Sequence, residues 1–325
     1  MPETTTELLT AYLSDAHSIE EQALAQLHEA PDIAGHDSLK AAFHDHLSET
    51  EGHERQIRSL LEGRSAAPSR FKDLVMKLGG KGFVLFARAN PDTPGKLLAH
   101  ALSYEALEEA SYELLATVAR EAGEPRIVET AERIEAQEKA MRERLESCFD
   151  AGVESSLAAL GDVDLNDQVA KYVADAHAIE EQAIQLLERA SKRDDGSLAA
   201  AYRTHLEETR GQATALETRL DAIGRDPSTI KDTLMRVGAM NWAAFFEAHP
   251  DTPGKLAAFA YAFEWLEIGG YEQLKRVAQR AGDQETERLA ERILLEERNA
   301  QAKLWSLLPE AGRLSLAEAG ISARR

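Results

Sequence analysis

Apolar residues recur along this chain at spacings of three and four, with polar residues between them, as in helices that bury one face. Strand-like alternation is essentially absent, and Ala, Leu, Glu, Arg and Gln fill the long segments. Pro31, Gly63 and Gly123 lie where these segments end, as expected of residues that stop helices. In the first half the pattern predicts long helices over about residues 6–30, 38–63, 94–123 and 125–149, and a shorter one over about 69–89.

The second half of the chain repeats this plan. Residues 12–23 return as 172–183, and residues 91–97 return verbatim as 250–256. A repeat this long indicates a duplicated domain rather than the short unit of a solenoid. The predicted fold class is all-α, with two antiparallel four-helix bundles in tandem, each with an extra short helix, which begins near residue 228 in the second half. We expect a first bundle in residues 1–150, a linker in 151–164 and a second bundle in 165–325.

Every long helix places at least one carboxylate inside its apolar stripe. Glu20, for example, interrupts a stripe that contains Leu13 and Ala23. The two halves serve as an internal control, because a glutamate that recurs at the same place is less easily explained as a chance surface residue. The stripe carboxylates are Glu20, Glu49, Glu105, Glu108 and Glu138 in the first half, and Glu180, Glu208, Glu264, Glu267 and Glu297 in the second.

Carboxylates on a buried face need neutralisation, because an unpaired buried carboxylate costs several kcal/mol. No lysine or arginine lies on the stripes, so the sequence offers no internal salt bridges for them. Two explanations stay open at this point. The acids are protonated, with raised pKa values, or they surround bound cations, which turns their mutual repulsion into ligation.

Imidazoles lie on the same stripes. His46 and His205 recur in both halves, either as partners behind metal ligands or as hydrogen-bonded core histidines. His53 is replaced by Gln212, so it is either a ligand unique to the first half or a hydrogen-bonding group. Several carboxylates with one or two imidazoles form the ligand set of paired iron or manganese between the helices of a bundle. The candidate metal residues therefore also include His46, His53, His205 and Gln212.

Composition and charge limit the partners and the compartment. The chain has 57 acidic and 37 basic residues, and the net charge of −20 argues against nucleic acid or an anionic membrane as the main partner. No apolar stretch is long enough to span a bilayer, and no basic region precedes an apolar run at the start. Cys148 is the only cysteine, so no disulfide forms within the chain. The expected compartment is the cytoplasm.

Each half resembles the ferritin-like family of bacterial stress proteins known as the YciF-type or DUF892 family. The resemblance rests on residues 175–180, 205–212, 263–271 and 295–298, together with 46–52 in the first half. It implies a rubrerythrin-like four-helix bundle with an extra helix, a dinuclear metal site and dimers. A tandem duplication would join such a dimer covalently, so we expect the two halves to pack with pseudo-twofold symmetry.

The sequence departs from the Glu-x-x-His pattern that di-iron bundles carry on two of their helices. Gly52, Met141 and Ala300 stand where that pattern requires histidine after Glu49, Glu138 and Glu297.

The function that we expect is a cytoplasmic, stress-associated metalloprotein with one dinuclear iron or manganese site in each half. If the metal is redox-active, the site reacts with oxygen or peroxide. The alternative is a non-catalytic bundle for assembly or interaction, in which the acids are remnants of an ancestral site. The expected ligands are Glu20, Glu49, His53, Glu105, Glu108 and Glu138 in the first half, and Glu180, Glu208, Glu264, Glu267 and Glu297 in the second.

Overall fold

The computed structural model describes residues 4–64, 93–193, 196–225 and 253–320. Within these ranges the chain forms helices and no strand, as the sequence predicts. The shorter helices predicted over about 69–89 and from about residue 228 lie outside the described residues. The helices are α1 (Thr5–Leu27), α2 (Ala30–Ile33), α3 (Asp37–Gly63), α4 (Thr93–Ala122), α5 (Pro125–Glu146), α6 (Phe149–Leu160), α7 (Leu165–Ala190), α8 (Ser197–Ala222), α9 (Pro253–Ala281) and α10 (Gln284–Glu318).

The first half forms a four-helix bundle of α1, α3, α4 and α5. Helix α1 packs on α3 and helix α4 on α5, and the two pairs meet through contacts of α1 with α4 and of α3 with α5. Helix α1 begins after Thr4, whose hydroxyl accepts a hydrogen bond from the Glu7 N–H at 3.2 Å. Each helix buries its apolar stripe in the shared core, as Leu13, Leu39 and Leu145 illustrate.

The second half repeats this arrangement with α7, α8, α9 and α10. Helix α7 packs on α8 and α9, and helix α10 packs on α9 and α8. The side chains of Asp164 and Asp283 cap α7 and α10 by accepting hydrogen bonds from the N–H groups of Asn166 and Thr286, at 2.8 and 3.1 Å. The sequence repeat therefore corresponds to two bundles built to one plan.

Most of the region predicted as a linker, residues 151–164, lies in helix α6. This helix packs on α4 and α9, and the last turns of α10 occupy the equivalent place in the second half. Ser156 on α6 accepts a hydrogen bond from the Gly95 N–H at 2.7 Å, and Ser315 accepts one from the Gly254 N–H at 2.8 Å. Much of this segment is therefore a repeated part of each half.

The two halves pack together through α4 and α9. Lys96 forms an ion pair with Asp175 at 3.3 Å, and the equivalent Lys255 forms one with Asp15 at 2.6 Å. Each half thus contributes the same residue types to reciprocal contacts, which is the property of an isologous interface. The two halves therefore pack together as predicted, and the residues that pair across their interface are equivalent in the repeat.

Helices α4 and α9 approach each other closely where they cross. The Ser103 hydroxyl donates a hydrogen bond to the Ala262 carbonyl at 2.7 Å, and these two residues occupy equivalent positions in the repeat. Gly269 permits the approach, because a Cβ added there would lie 2.9 Å from the Ala99 Cα. Small residues at the crossing therefore let the two bundles share one core.

Most residues of α9 are buried, since this helix packs both inside its own bundle and against the first half. Even so, within the described part of the chain, no helix combines the length and apolar character needed to cross a membrane.

One buried ion pair lies at this interface, and the sequence stripes did not predict it. The Arg142 guanidinium donates a hydrogen bond to Glu109 at 2.7 Å, and the Tyr261 hydroxyl of the second half donates to the same carboxylate at 3.1 Å. The guanidinium also lies 4.1 Å from the centroid of the Trp265 ring. The two bundles are therefore joined by a polar contact as well as by apolar packing.

Candidate metal centre

The first half gathers six candidate ligand side chains in the middle of its bundle. Helical spacing explains the grouping, because residues three or seven positions apart lie on one face of a helix. Each of the six residues is 3% exposed or less. They are Glu20 from α1, His46 and His53 from α3, Glu105 and Glu108 from α4, and Glu138 from α5.

Glu138 lies at the centre of this cluster, between the two imidazoles. Its Oε1 is 2.7 Å from the His53 Nδ1, and its Oε2 is 3.3 Å from the His46 Nε2. The His46 Nε2 is also 2.9 Å from the Glu105 Oε2, and the His53 Nδ1 is 3.8 Å from the Glu20 Oε1. Two groups of ligand atoms therefore meet at Glu138, each with one imidazole nitrogen.

The first group takes one atom from each of His46, Glu105, Glu108 and Glu138, and all four atoms lie within 4.8 Å of one another. The second group consists of Glu20, His53 and Glu138, with the same limit on the distances between atoms.

The outer nitrogens of the imidazoles are held by polar partners. The His46 Nδ1 lies 3.2 Å from the Glu49 Oε2, and the His53 Nε2 lies 3.3 Å from the Gln137 Oε1. Because these partners accept hydrogen bonds, they hold a proton on the outer nitrogen of each imidazole. A metal would therefore bind the inner nitrogen in place of the proton that it shares with the carboxylates, which is the arrangement around metal-binding histidines. The predicted ligand Glu49 is 46% exposed and supports His46 from behind, so the structure does not bring it into the cluster.

The second half builds a similar cluster from one imidazole and four carboxylates. The His205 Nε2 lies 2.8 Å from the Glu264 Oε2 and 3.4 Å from the Glu297 Oε2. Ligand atoms from His205, Glu264, Glu267 and Glu297 lie within 4.8 Å of one another. Glu180 from α7 is buried as well, whereas Glu208 is 46% exposed and lies 3.2 Å from the outer nitrogen of His205. Glu208 therefore corresponds to Glu49.

Gln212 takes the place of His53 but makes different contacts. Its Nε2 donates to the Glu297 Oε1 at 2.6 Å and to the Glu296 Oε2 at 3.0 Å. The amide therefore presents an N–H donor to the carboxylate that corresponds to Glu138.

A tyrosine hydroxyl supports the first carboxylate of each half. Tyr112 donates a short hydrogen bond to Glu20, and Tyr271 donates one to Glu180. Burial raises the pKa of Glu20 well above its usual range, and it raises the pKa of Glu180 to about 8 against the lowering effect of Tyr271. Both tyrosines are buried in the core, where they also hold these carboxylates in place.

Burial and mutual repulsion set the charges of the first cluster. Burial raises the pKa of Glu105 to about 7, and burial with the neighbouring carboxylates raises the pKa of Glu108 well above its usual range. For Glu138, burial acts in the same direction, but hydrogen bonds from His46 and His53 lower the pKa to about 2. Burial lowers the pKa of His46, but the charge of Glu105 together with hydrogen bonds to Glu105, Glu138 and Glu49 outweighs it, and the pKa rises well above its usual value.

In the second cluster the pKa of the central carboxylate, Glu297, is raised rather than lowered. Burial and the negative charge of Glu264 raise the pKa of Glu297 well above its usual range. Burial and the neighbouring acids raise the pKa of Glu267 in the same way. The second half therefore lacks the second imidazole that, together with His46, lowers the pKa of Glu138.

The carboxylates have fewer partners than their burial requires. No donor among the described residues reaches either oxygen of Glu108 or of Glu267. The ion pairs of the cluster carboxylates are with histidine. No lysine or arginine in the described ranges pairs with these carboxylates. Carboxylate oxygens with imidazole nitrogens suit iron or manganese, so the residues present fit a metal.

A third group of titratable residues lies next to the first cluster and is already neutralised. The His17 Nε2 lies 2.9 Å from the Glu54 Oε1, and Arg58 pairs with Glu54 and, at 3.7 Å, with Glu21. The helical stripes of the sequence do not indicate this group. Because the half-exposed guanidinium of Arg58 supplies a positive charge here, the group is a partly buried ion-pair network.

Comparison with known families gives one match in each half. Residues 4–158 and residues 164–317 both match the family described as "Domain of unknown function (DUF892)". No solved structure matches the chain.

Proposed function

Since this chain belongs to the DUF892 family through both of its halves, and since each half buries a cluster of acids, we propose that it is a metalloprotein with a carboxylate-rich iron or manganese site in each half. The observation that carries the proposal is the set of buried carboxylate oxygens without donors, above all those of Glu108 and Glu267. A divalent cation would supply the missing positive charge.

The ligand sets that we propose exchange one residue in each half relative to the sequence prediction. His46 and His205 act as ligands through Nε2, and Glu49 and Glu208 hold their Nδ1 atoms from behind. The remaining proposed ligands are Glu20, His53, Glu105, Glu108 and Glu138 in the first half, and Glu180, Glu264, Glu267 and Glu297 in the second.

When bound, iron or manganese would supply one-electron chemistry toward oxygen or peroxide. The chain's own residues exclude water, supply negative charge and fix the ligands. Tyr112 and Tyr271 orient Glu20 and Glu180, and the exposed carboxylates of Glu49 and Glu208 accept the outer imidazole protons. We also propose a cytoplasmic location and, on the family resemblance, a role in the stress response.

The test is the metal content of the full-length protein. After treatment with a chelator, the apoprotein is incubated with Mn²⁺ or, without oxygen, with Fe²⁺, then desalted for elemental analysis and thermal melting. We expect retained metal and a higher Tm, since a ligand at one hundred times its Kd stabilises by about 2.7 kcal/mol. Glu108→Gln with Glu267→Gln should reduce both effects.

A matched control replaces the exposed carboxylates of Glu51 and Glu207 by glutamine, which should leave metal content and Tm unchanged. No retained metal and no rise in Tm in the wild-type protein would contradict the proposal. The buried acids would then be protonated, and the alternative of a non-catalytic bundle with remnant sites would be favoured.

A further inference from the structure

The two clusters differ in the number of ions that their side chains support. Resting on the proposed function, we infer that the first half holds two metal ions and the second half holds one. From the sequence, a dinuclear site is expected in both halves.

In the first half, Glu138 lies between two groups of ligand atoms. Its two oxygens face different imidazoles, with Oε1 toward His53 and Oε2 toward His46. Each imidazole also faces a further carboxylate, Glu20 for His53 and Glu105 for His46. Each side of Glu138 thus has its own nitrogen and its own carboxylate, and Glu108 adds two oxygens without donors. This is the ligand arrangement of two adjacent ions that share a carboxylate.

In the second half, one of the two sides of the central carboxylate Glu297 has no imidazole. Glu297 keeps its contact with His205 through Oε2, but its Oε1 accepts a hydrogen bond from Gln212. An amide nitrogen has no lone pair available to coordinate a cation, and its hydrogens point at the oxygen that would bridge. The equivalent of the His53 position therefore offers a hydrogen bond where the first half offers a ligand.

The neighbours that contact His53 and Gln212 also differ between the two halves. In the first half the Gln137 Oε1 accepts a hydrogen bond from the outer nitrogen of His53, so Nδ1, which faces Glu138, is the nitrogen that an ion would take. In the second half Glu296 stands in place of Gln137 and accepts from the Gln212 Nε2 at 3.0 Å. Turning the amide over to offer its oxygen would remove the donor from both Glu296 and Glu297. Gln137 therefore supports His53 as a ligand, whereas Glu296 holds Gln212 as a hydrogen-bond donor.

The experiment counts ions in reciprocal variants of the full chain. Apoprotein is refilled with Mn²⁺ alone and desalted, and bound manganese is measured by elemental analysis. For the wild-type protein we expect about three ions per chain, as a pair and a single ion would give. His53→Gln should lower the count by about one, and Gln212→His should raise it by about one.

Two further variants transfer the neighbours as well. His53→Gln with Gln137→Glu copies the second half into the first, and Gln212→His with Glu296→Gln does the reverse. Since each pair of residues already exists at the equivalent place of the fold, both proteins should fold, which circular dichroism checks. Electron paramagnetic resonance of the bound Mn²⁺ should show a coupled pair and an isolated ion in the wild-type protein, and two coupled pairs in the Gln212→His, Glu296→Gln variant.

The outcomes separate this inference from the proposed function. Equal numbers of ions in both halves, with the Gln212 and His53 variants unchanged, would overturn the inference and leave the metalloprotein proposal intact. No retained manganese or iron in any variant would overturn both.

Discussion

Glu138 and Glu297 occupy equivalent places in the two halves, yet their environments are opposite. Hydrogen bonds from His46 and His53 lower the pKa of Glu138 to about 2 although burial opposes this. Burial and Glu264 raise the pKa of Glu297 well above its usual range. Replacement of one imidazole by the amide of Gln212 accounts for the main difference in contacts. The two halves of the duplication thus keep the same packing, whereas replacement of a single polar partner reverses the direction of the pKa shift of the central carboxylate.

The interface between the halves shows the same kind of divergence. The Arg142–Glu109 ion pair of the first half corresponds to Gln301 and Ile268 in the second. The helix positions are the same, but one half buries charge where the other buries an apolar side chain. These differences provide matched variants, because each half supplies the control for the other.

The largest expected effect comes from breaking the buried ion pair. Arg142→Leu should lower the free energy of unfolding by about 3–5 kcal/mol, because it leaves the Glu109 carboxylate buried without a cation. Urea denaturation followed by circular dichroism measures this. Gln301→Leu changes the equivalent position of the second half and should cost less than about 1 kcal/mol, since that residue is only partly buried and pairs with no charge among the described residues.

The double variant Glu109→Ile with Arg142→Gln copies the second half and should recover most of the loss. A buried ion pair can be replaced by apolar packing at little cost, whereas removal of one partner is costly. If Arg142→Leu alone is neutral, or if the double variant is as unstable as the single one, the ion pair is not the source of the stability at this interface.

A smaller effect concerns a histidine that the second half lacks. His100 lines a pocket of about 70 Å³ between the halves, and Phe259 lines the equivalent pocket of about 40 Å³. Burial, with a further contribution from Lys96, lowers the pKa of His100 from 6.5 to about 4. Between these pH values the unfolded chain binds a proton that the folded chain does not bind. The stability contributed by neutral His100 is therefore lost as the pH falls through this window.

We expect His100→Phe to remove a pH-dependent loss of about 1–3 kcal/mol between pH 6.5 and pH 4. The measurement is the difference in unfolding free energy between wild type and variant as a function of pH, because other carboxylates titrate in both proteins. A constant difference across this range would show that His100 takes up its proton equally in the folded and unfolded states.

The carboxylate clusters could be predicted from the sequence because helical spacing alone places Glu20, Glu105, Glu108 and Glu138 on buried faces. The ligand role of His46 could not be separated from that of Glu49 in the same way. The two residues are three positions apart and share one broad face, so only the packed orientation of α3 decides which side chain points inward. The predicted linker, residues 151–164, carried too weak a sequence pattern to reveal that α6 packs on both halves.

The interface ion pair could not be predicted because a stripe accounts for one buried face of each helix. Helices α4 and α9 bury a second face against each other. Glu109 and Arg142 lie beside the stripe residues Glu108 and Met141, on faces that would be exposed in a single bundle. Their burial follows from the packing of the two halves, for which the sequence pattern of one bundle contains no signal.

The smallest predicted effect tests the symmetry of the interface itself. The ion pairs of Lys96 with Asp175 and of Lys255 with Asp15 are equivalent, and both are largely shielded from solvent. Double-mutant cycles with lysine to methionine and aspartate to asparagine should give coupling energies of about 1 kcal/mol in each pair, near the upper end for partly exposed pairs. Denaturation at pH 8, where His100 is neutral, avoids a contribution from its titration. Equal couplings would mean that the divergence of the halves spares the contacts on which their pairing depends, whereas a coupling in only one pair would extend the asymmetry of the metal clusters to the interface.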